Sequence, residues 1–182
     1  MADFIDIVKG RRSIRRYQDT ELSEEIINKL LESIKWSPSW ANTQCWEVIV
    51  VRDNAKKERL RDSVPETNPA SLAIVQAPIL IVICGKKESS GYYKGKAATN
   101  LGDWLMYDLG IATQSLCLTA HALGLGTVIV GLFDHDKAKA ALGVQEKYEL
   151  VSIIPVGYPA KDSPAPKRRE IEEFAHYDGF QL

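Results

Sequence analysis

The sequence predicts an α+β, or mixed α/β, fold in which a sheet packs around one long helix. Three observations carry this. Runs rich in branched and apolar residues at 47–51, 79–84, 127–130 and 149–156 read as strands. Helical patterns separate them, two before the first strand, so the order is not the regular strand–helix–strand repeat of a doubly wound sheet. One helical pattern, at 99–123, is apolar on more than one face and so demands burial on most of its circumference.

Taken in order, Phe4, Ile5 and Val8 fall on one side of a short first helix over residues 3–10. Ser23 is a good N-cap, with Glu24 and Glu25 in the first turn and Ile26, Ile27, Leu30, Leu31 and Ile34 on one face. Pro38 stops that helix. A polar loop with two tryptophans, Pro38 to Trp46, leads into a strand over 47–51 that reads as buried. Asp53 to Ser63 is a charged surface helix and Asn68 to Gln76 a further short one. The run 79–84 is a second strand, and Lys86 to Lys96 is a loop long enough to serve as a mobile flap.

The pattern over 99–123 corresponds to a helix roughly 35 Å long. Either it is the central core helix of a monomer or a partner subunit covers its remaining face. Gly124-Leu125-Gly126 closes it, Thr127 to Val130 is a third strand, Asp134 caps a short helix through Leu142, and Glu149 to Val156 is a fourth strand. Residues 1–182 read as a single domain, with 160–182 as a C-terminal extended arm ending in a short polar tail.

Composition excludes several functions. A formal net charge of −1 argues against non-specific nucleic-acid binding. No stretch reaches the roughly 20 apolar residues of a membrane span, and the N-terminus lacks the basic start of a signal peptide. Cys45, Cys84 and Cys117 are odd in number and set among apolar neighbours. They fit buried thiols of a reducing compartment better than a disulfide framework, so the expected location is cytoplasmic. His121, His135 and His176 lack metal-like spacing and read as structural.

Arg11-Arg12-Ser13-Ile14-Arg15-Arg16 places four guanidiniums and a hydroxyl in six residues. Guanidinium forks suit phosphate, so the stretch is either a bound-anion site or a solvated basic turn. Gly124-x-Gly126 follows a helix and opens a strand, the reverse of a dinucleotide fingerprint, so these glycines serve a helix C-cap and a close backbone approach. Nucleophile, metalloprotease and phosphate-loop motifs are absent, which fits chemistry done by a cofactor.

Together, Arg11-Arg12-Ser13-Ile14-Arg15, then Pro38-Ser39-x-x-Asn42-x-Gln44-x-Trp46, Gly124-Leu125-Gly126-Thr127 with Gly131, Pro155-x-Gly157-Tyr158-Pro159 and Lys167-Arg168-Arg169 resemble the FMN-dependent nitroreductase family over nearly the whole chain. The family commonly has proline where this chain has Cys45.

The resemblance implies a nitroreductase-like fold with a mostly antiparallel central sheet flanked by helices. It also implies a homodimer with the long helix at its interface and FMN sites shared between subunits. Arg11 and Ser13, with Arg168 or Arg169, would hold the FMN phosphate and ribityl chain. Arg12 matches the motif without a defined role, and Arg15 would lie at the N1/O2 edge of the ring. Pro38, Ser39, Trp40, Asn42 and Gln44 would contact the flavin of the other subunit, and Ile129, Val130 and Gly131 would offer backbone amides toward N5. The implied activity is ping-pong transfer from NADH or NADPH to nitroaromatics, quinones or similar small acceptors, with no protein nucleophile or base. A flavin-storage protein, or a specialised relative such as a reductive dehalogenase, is the alternative.

Overall fold

The computed structural model describes residues 3–180, so the first two and last two positions of the expected domain and arm lie outside it. In chain order the elements are α1 (Phe4–Gly10), α2 (Glu24–Lys35), β1 (Trp46–Val51), α3 (Asn54–Arg61), α4 (Ser71–Gln76), β2 (Ile79–Lys86), β3 (Tyr92–Tyr93), β4 (Lys96–Ala97), α5 (Leu105–Ala122), β5 (Gly126–Thr127), α6 (His135–Leu142) and β6 (Tyr148–Gly157). Short 3-10 turns occupy Trp40–Asn42 and Ile171–Glu173. The main sheet runs β1-β2-β6-β5 and its named strands all pair antiparallel, as the family resemblance implies.

β2 explains why the sheet has two cores. Its side chains alternate, as strand geometry requires. Ile79, Ile81 and Ile83 enter a core with Ile27, Leu30 and Ile34 of α2 and Leu105, Leu109, Ala112 and Leu116 of α5. Leu80, Val82 and Cys84 enter the opposite core, with Leu60 of α3, Ile74 of α4 and Ala138 of α6. A strand covered on both faces has no polar side to show, which is why 79–84 reads as a continuous apolar run. Each such side chain contributes roughly 1.5–3 kcal/mol on burial. All three cysteines are free and buried.

Several expectations need correction. β1 is an edge strand paired only with β2, and its residues 46–50 are half-buried or exposed, with Val51 alone buried. The third strand shrinks to Gly126–Thr127 plus an isolated bridge between Val130 and Ile153. The register that pairs Thr127 with Val156 and Val130 with Ile153 sets Val128 opposite Pro155. Proline has no N–H to give, and the ladder breaks there.

The long helix begins at Leu105, later than expected, and its 18 residues span roughly 27 Å. Gly102 turns the chain at φ +72°, and the Asp103 carboxylate accepts from the amides of both Leu105 and Glu88. At the far end Gly124, at φ +76°, supplies the left-handed C-cap: Leu125 N–H donates to Ala120 and Gly124 N–H to His121. The face carrying Met106 and Tyr107 stays 64% and 62% exposed in the single chain.

The expected flap is pinned at its base. Residues 86–97 contain the β3–β4 hairpin, Ser90 is fully buried, and the Ala98 amide donates to Gly91. The C-terminal tail is not polar, since Ile171, Phe174, Tyr177 and Phe180 recur every third residue and all lie exposed. Among the described residues no helix is long and apolar enough to cross a membrane.

Candidate functional site

The arginine segment is an extended strip stitched to two distant parts of the chain. Ser13 pairs parallel with Thr127, and the Ile14 amide donates to the Thr127 carbonyl at 2.9 Å. Tyr17 pairs with Pro159, Gln18 N–H donates to Tyr158, and Ala160 N–H donates to Arg16. Ile14 and Tyr17 are buried anchors. The Tyr17 hydroxyl shares its proton between the carbonyls of Ile14, at 2.7 Å, and Pro155, at 3.0 Å, and burial pushes its pKa well above the usual tyrosine value.

With these anchors fixed, Arg11, Arg12, Ser13 and Arg15 are held half-buried, while Arg16 is exposed. A cavity of about 300 Å³ opens beside Arg11 and Arg12, lined also by Gly10, His121, Thr127, Asp162 and Ser163. Burial, then the Arg11 and Arg12 charges, lower the His121 pKa, so the permanent cations of this cavity are guanidiniums. Arg12 turns its Nη1 back to the carbonyls of Lys9 and Arg11. Arg15 gives Nη1 to the Ser13 carbonyl at 3.3 Å, but its buried Nε has no partner. Among the described residues none of the four arginines forms an ion pair. A buried, unpartnered guanidinium donor is a place for an acceptor.

The second part is the loop 38–45. Ala41, Asn42 and Gln44 sit at φ +44°, +55° and +47°. Three non-glycine residues in the left-handed region within four positions store strain that the surroundings must hold in place. They do so with short bonds. Ser39 Oγ accepts the Gln44 amide at 2.9 Å, the Asn42 side chain accepts Gln44 Nε2 at 3.2 Å, and both Asp108 oxygens lie 3.1 Å from the Trp40 amide. The Trp40 ring rests against Trp104, centroids 4.9 Å apart. Pro38, Asn42 and Gln44 are exposed, and Thr43 Oγ1 is buried without a partner.

At residues 129–131, Ile129 is half exposed and Gly131 exposed, but Val130 is buried and its amide is committed to the Ile153 carbonyl at 3.0 Å. Among the described residues the amides of Ile129 and Gly131 have no such backbone acceptor. Arg168 and Arg169 are exposed, and Arg169 lies over the Phe174 ring at 5.8 Å instead of lining the Arg11 cavity. From that end of the chain, the cavity is lined by Asp162 and Ser163.

The residues thus fall into two separate groups. Arg11 and Arg12 adjoin His121, at the C-terminal end of α5, whereas the 38–45 loop is tied to Asp108, in its first turn. Thirteen residues of helix separate these two ends by roughly 20 Å. The sequence assigns His121 a structural role and Thr127 a place in a strand, and it gives no site role to Asp162, Ser163 or Asp108. The signal for His121 was its place one turn before the Gly124 cap, and for Asp108 that of a carboxylate alone on an apolar helix.

A family model described as the nitroreductase family matches residues 8–73 and 66–158. A Methanothermobacter thermautotrophicus protein, provisionally named an NADH dehydrogenase/NAD(P)H nitroreductase, is 32% identical over 88% of this chain and 79% of its own. A 5,6-dimethylbenzimidazole synthase from Rhodospirillum rubrum is 27% identical over 88% of this chain and 84% of its own. Among solved structures, an FMN-dependent nitroreductase from Clostridium difficile superposes with a TM-score of 0.80 at 28% identity, covering 97% of this chain and 99% of that one.

Proposed function

The chain belongs to the nitroreductase family and is an oxidoreductase, and on that premise we propose that it works as a homodimer, using FMN and NAD(P)H to reduce nitroaromatics, quinones or similar conjugated acceptors. The observation that carries this reading is the separation of the two groups to opposite ends of α5, with an exposed apolar face between them. A two-fold partner packed on that face brings the loop of one protomer to the arginines of the other. The exposed Ile171, Phe174, Tyr177 and Phe180 of the arm support the same arrangement.

The residues present fit an anionic flavin. The Arg11–Arg12 cavity offers fixed positive charge to a phosphate, with Ser13 beside it, and the orphaned Arg15 Nε offers a donor to the electron-rich edge of a ring. The amides of Ile129 and Gly131 would orient it, with Val130, whose amide is committed to Ile153, contributing its buried side chain. Pro38, Ser39, Trp40, Asn42 and Gln44 would cover it from the partner, and Arg168 and Arg169 would reach it only by a path across the dimer. Bound there, FMN supplies two-electron transfer between a nicotinamide donor and the acceptor. The protein's task is to bind, orient and favour the anionic reduced form through Arg15.

The test is whether the purified chain is yellow and releases intact FMN on denaturation, and whether NADH or NADPH bleaches it in a stopped-flow mix. A protein that takes up no FMN overturns the reading. Bleaching by neither donor favours a storage protein, and loss of the flavin itself during turnover favours a flavin-consuming relative.

A further inference from the structure

Asp108 is 1% exposed, the only acidic residue buried among the described residues, and it takes donors from three residues in two segments. From the 38–45 loop it receives the Trp40 amide, at 3.1 Å to each oxygen. From the hairpin segment it receives Ser90 Oγ, at 2.6 Å to Oδ2, and Ser90 is itself fully buried. From the end of the 38–45 loop it receives the Cys45 thiol, at 3.8 Å to the same Oδ2. Burial and then the Asp108 charge push the Cys45 thiol up to about 12, so it remains a protonated donor and not a nucleophile.

The aromatic neighbours run the same way. Trp104, one turn before Asp108, packs at a tilt of 42° against Trp40, donates its amide to the Ser90 carbonyl and lies against Gly91, where an added Cβ would meet its ring at 2.5 Å. The strained loop and the hairpin therefore share one carboxylate and one indole, with few direct bonds of their own. Removing that carboxylate leaves Ala41, Asn42 and Gln44 with only local bonds to hold left-handed backbone.

We propose that Asp108 is a positioning residue: it locks the strained 38–45 loop to the 86–97 hairpin, so that the loop's shape, and with it flavin affinity, depends on a hairpin that need not touch the flavin. The affinity clause rests on the FMN reading above; the coupling of loop to hairpin does not. Cys45 belongs to the lock. The Cys45 carbonyl takes the Lys86 amide, and among the described residues the Cys45 amide has no backbone acceptor. A proline at this position would forfeit no backbone bond, so what this chain gains from cysteine is a third donor to Asp108.

The experiment is reciprocal proteolysis of the full chain without flavin, followed by flavin titration. Ser90→Ala, a change in the hairpin segment, should speed chymotryptic cleavage after Trp40. Cys45→Ala, a change in the loop, should speed tryptic cleavage after Lys94. Cleavage that accelerates only within the altered segment overturns the coupling, whether or not the chain binds FMN. In the titration, Asp108→Asn sets an amide donor against three donors and should weaken FMN roughly ten- to hundred-fold, the scale of a hydrogen bond to a charged group. Ser90→Ala should weaken it less, and the double variant no more than Asp108→Asn alone. Additive losses, or an unchanged FMN affinity in Ser90→Ala, overturn the positioning role; the latter decides even where Asp108→Asn does not fold.

Discussion

Gly126 passes so close to Ile14 that a Cβ on the glycine would lie 2.6 Å from both Cβ and Cγ1 of the isoleucine. This approach is what lets the arginine strip pair with Thr127, and it makes the strip's position sensitive to a single methyl group. Gly126→Ala should destabilise the fold by about 1–3 kcal/mol, the usual cost of overpacking, read as a lower urea midpoint at unchanged slope. Ile14→Val in the same chain should not recover it, because valine keeps Cβ and both γ carbons that the new methyl meets. An unchanged midpoint in Gly126→Ala would mean the strip yields freely and is not fixed by the sheet.

Arg11→Ala removes a fixed charge from the cavity and should cost FMN affinity about 1.5–3 kcal/mol, measured by quenching of flavin fluorescence on binding. Equal affinity in the variant would place the phosphate elsewhere.

On the proposed dimer Arg11 and Asn42 fall in different half-sites, so two defective homodimers should complement. Arg11→Ala and Asn42→Ala proteins, each impaired, when unfolded and refolded together should regain about a quarter of wild-type activity, because half the dimers are mixed and each mixed dimer holds one intact site. No recovery would put both residues in the same protomer's site.

His121 gives a pH test with a definite sign. Its folded pKa is depressed, so its contribution to stability is present above the unfolded value near 6.5 and is lost as pH falls through that value toward the folded one. Flavin-free protein should lose stability as pH falls from about 7 through 6.5, the ordinary histidine value, and His121→Gln should flatten that slope. Saturating FMN should flatten it too, since a phosphate offsets the two guanidiniums. An identical slope in wild type and variant would remove His121 from the account.

Met106 lies 64% exposed on α5 in the single chain. Met106→Glu should leave a monomer in sedimentation and abolish FMN retention, whereas an ordinary surface substitution changes stability by only about 0.5 kcal/mol. A dimer that persists would move the interface off this face.

How much could be read in advance follows from locality. β2 and β6 were legible because a strand covered on both faces leaves an unbroken apolar run, and α2 because Ser23, whose side chain accepts the Ile26 amide at 3.3 Å, announces it. The start of α5 was not, because Gly102 and Asp103 act through backbone turns that an apolar count ignores. β5 was over-read because the residue that cuts it short, Pro155, belongs to a different strand. The arginine strip was visible as chemistry, but its cavity partners His121, Asp162 and Ser163 are brought there only by folding. Asp108 stood out only as a charge on an apolar helix; its meaning lies in donors 68, 63 and 18 positions away.

The stitching of the arginine strip to residues 158–160 also sets an order of events. Chains emerge from the ribosome N-terminus first, at roughly 5–20 residues per second. Arg16 must therefore wait for Ala160, and Tyr17 for Pro159, while everything between is made. The arginine strip is made long before Pro159, Asp162 and Ser163, which complete its cavity, so the anion cavity cannot form until they follow. A nascent polypeptide stalled before Tyr158 would carry its helices and most of its sheet residues, but no completed cavity.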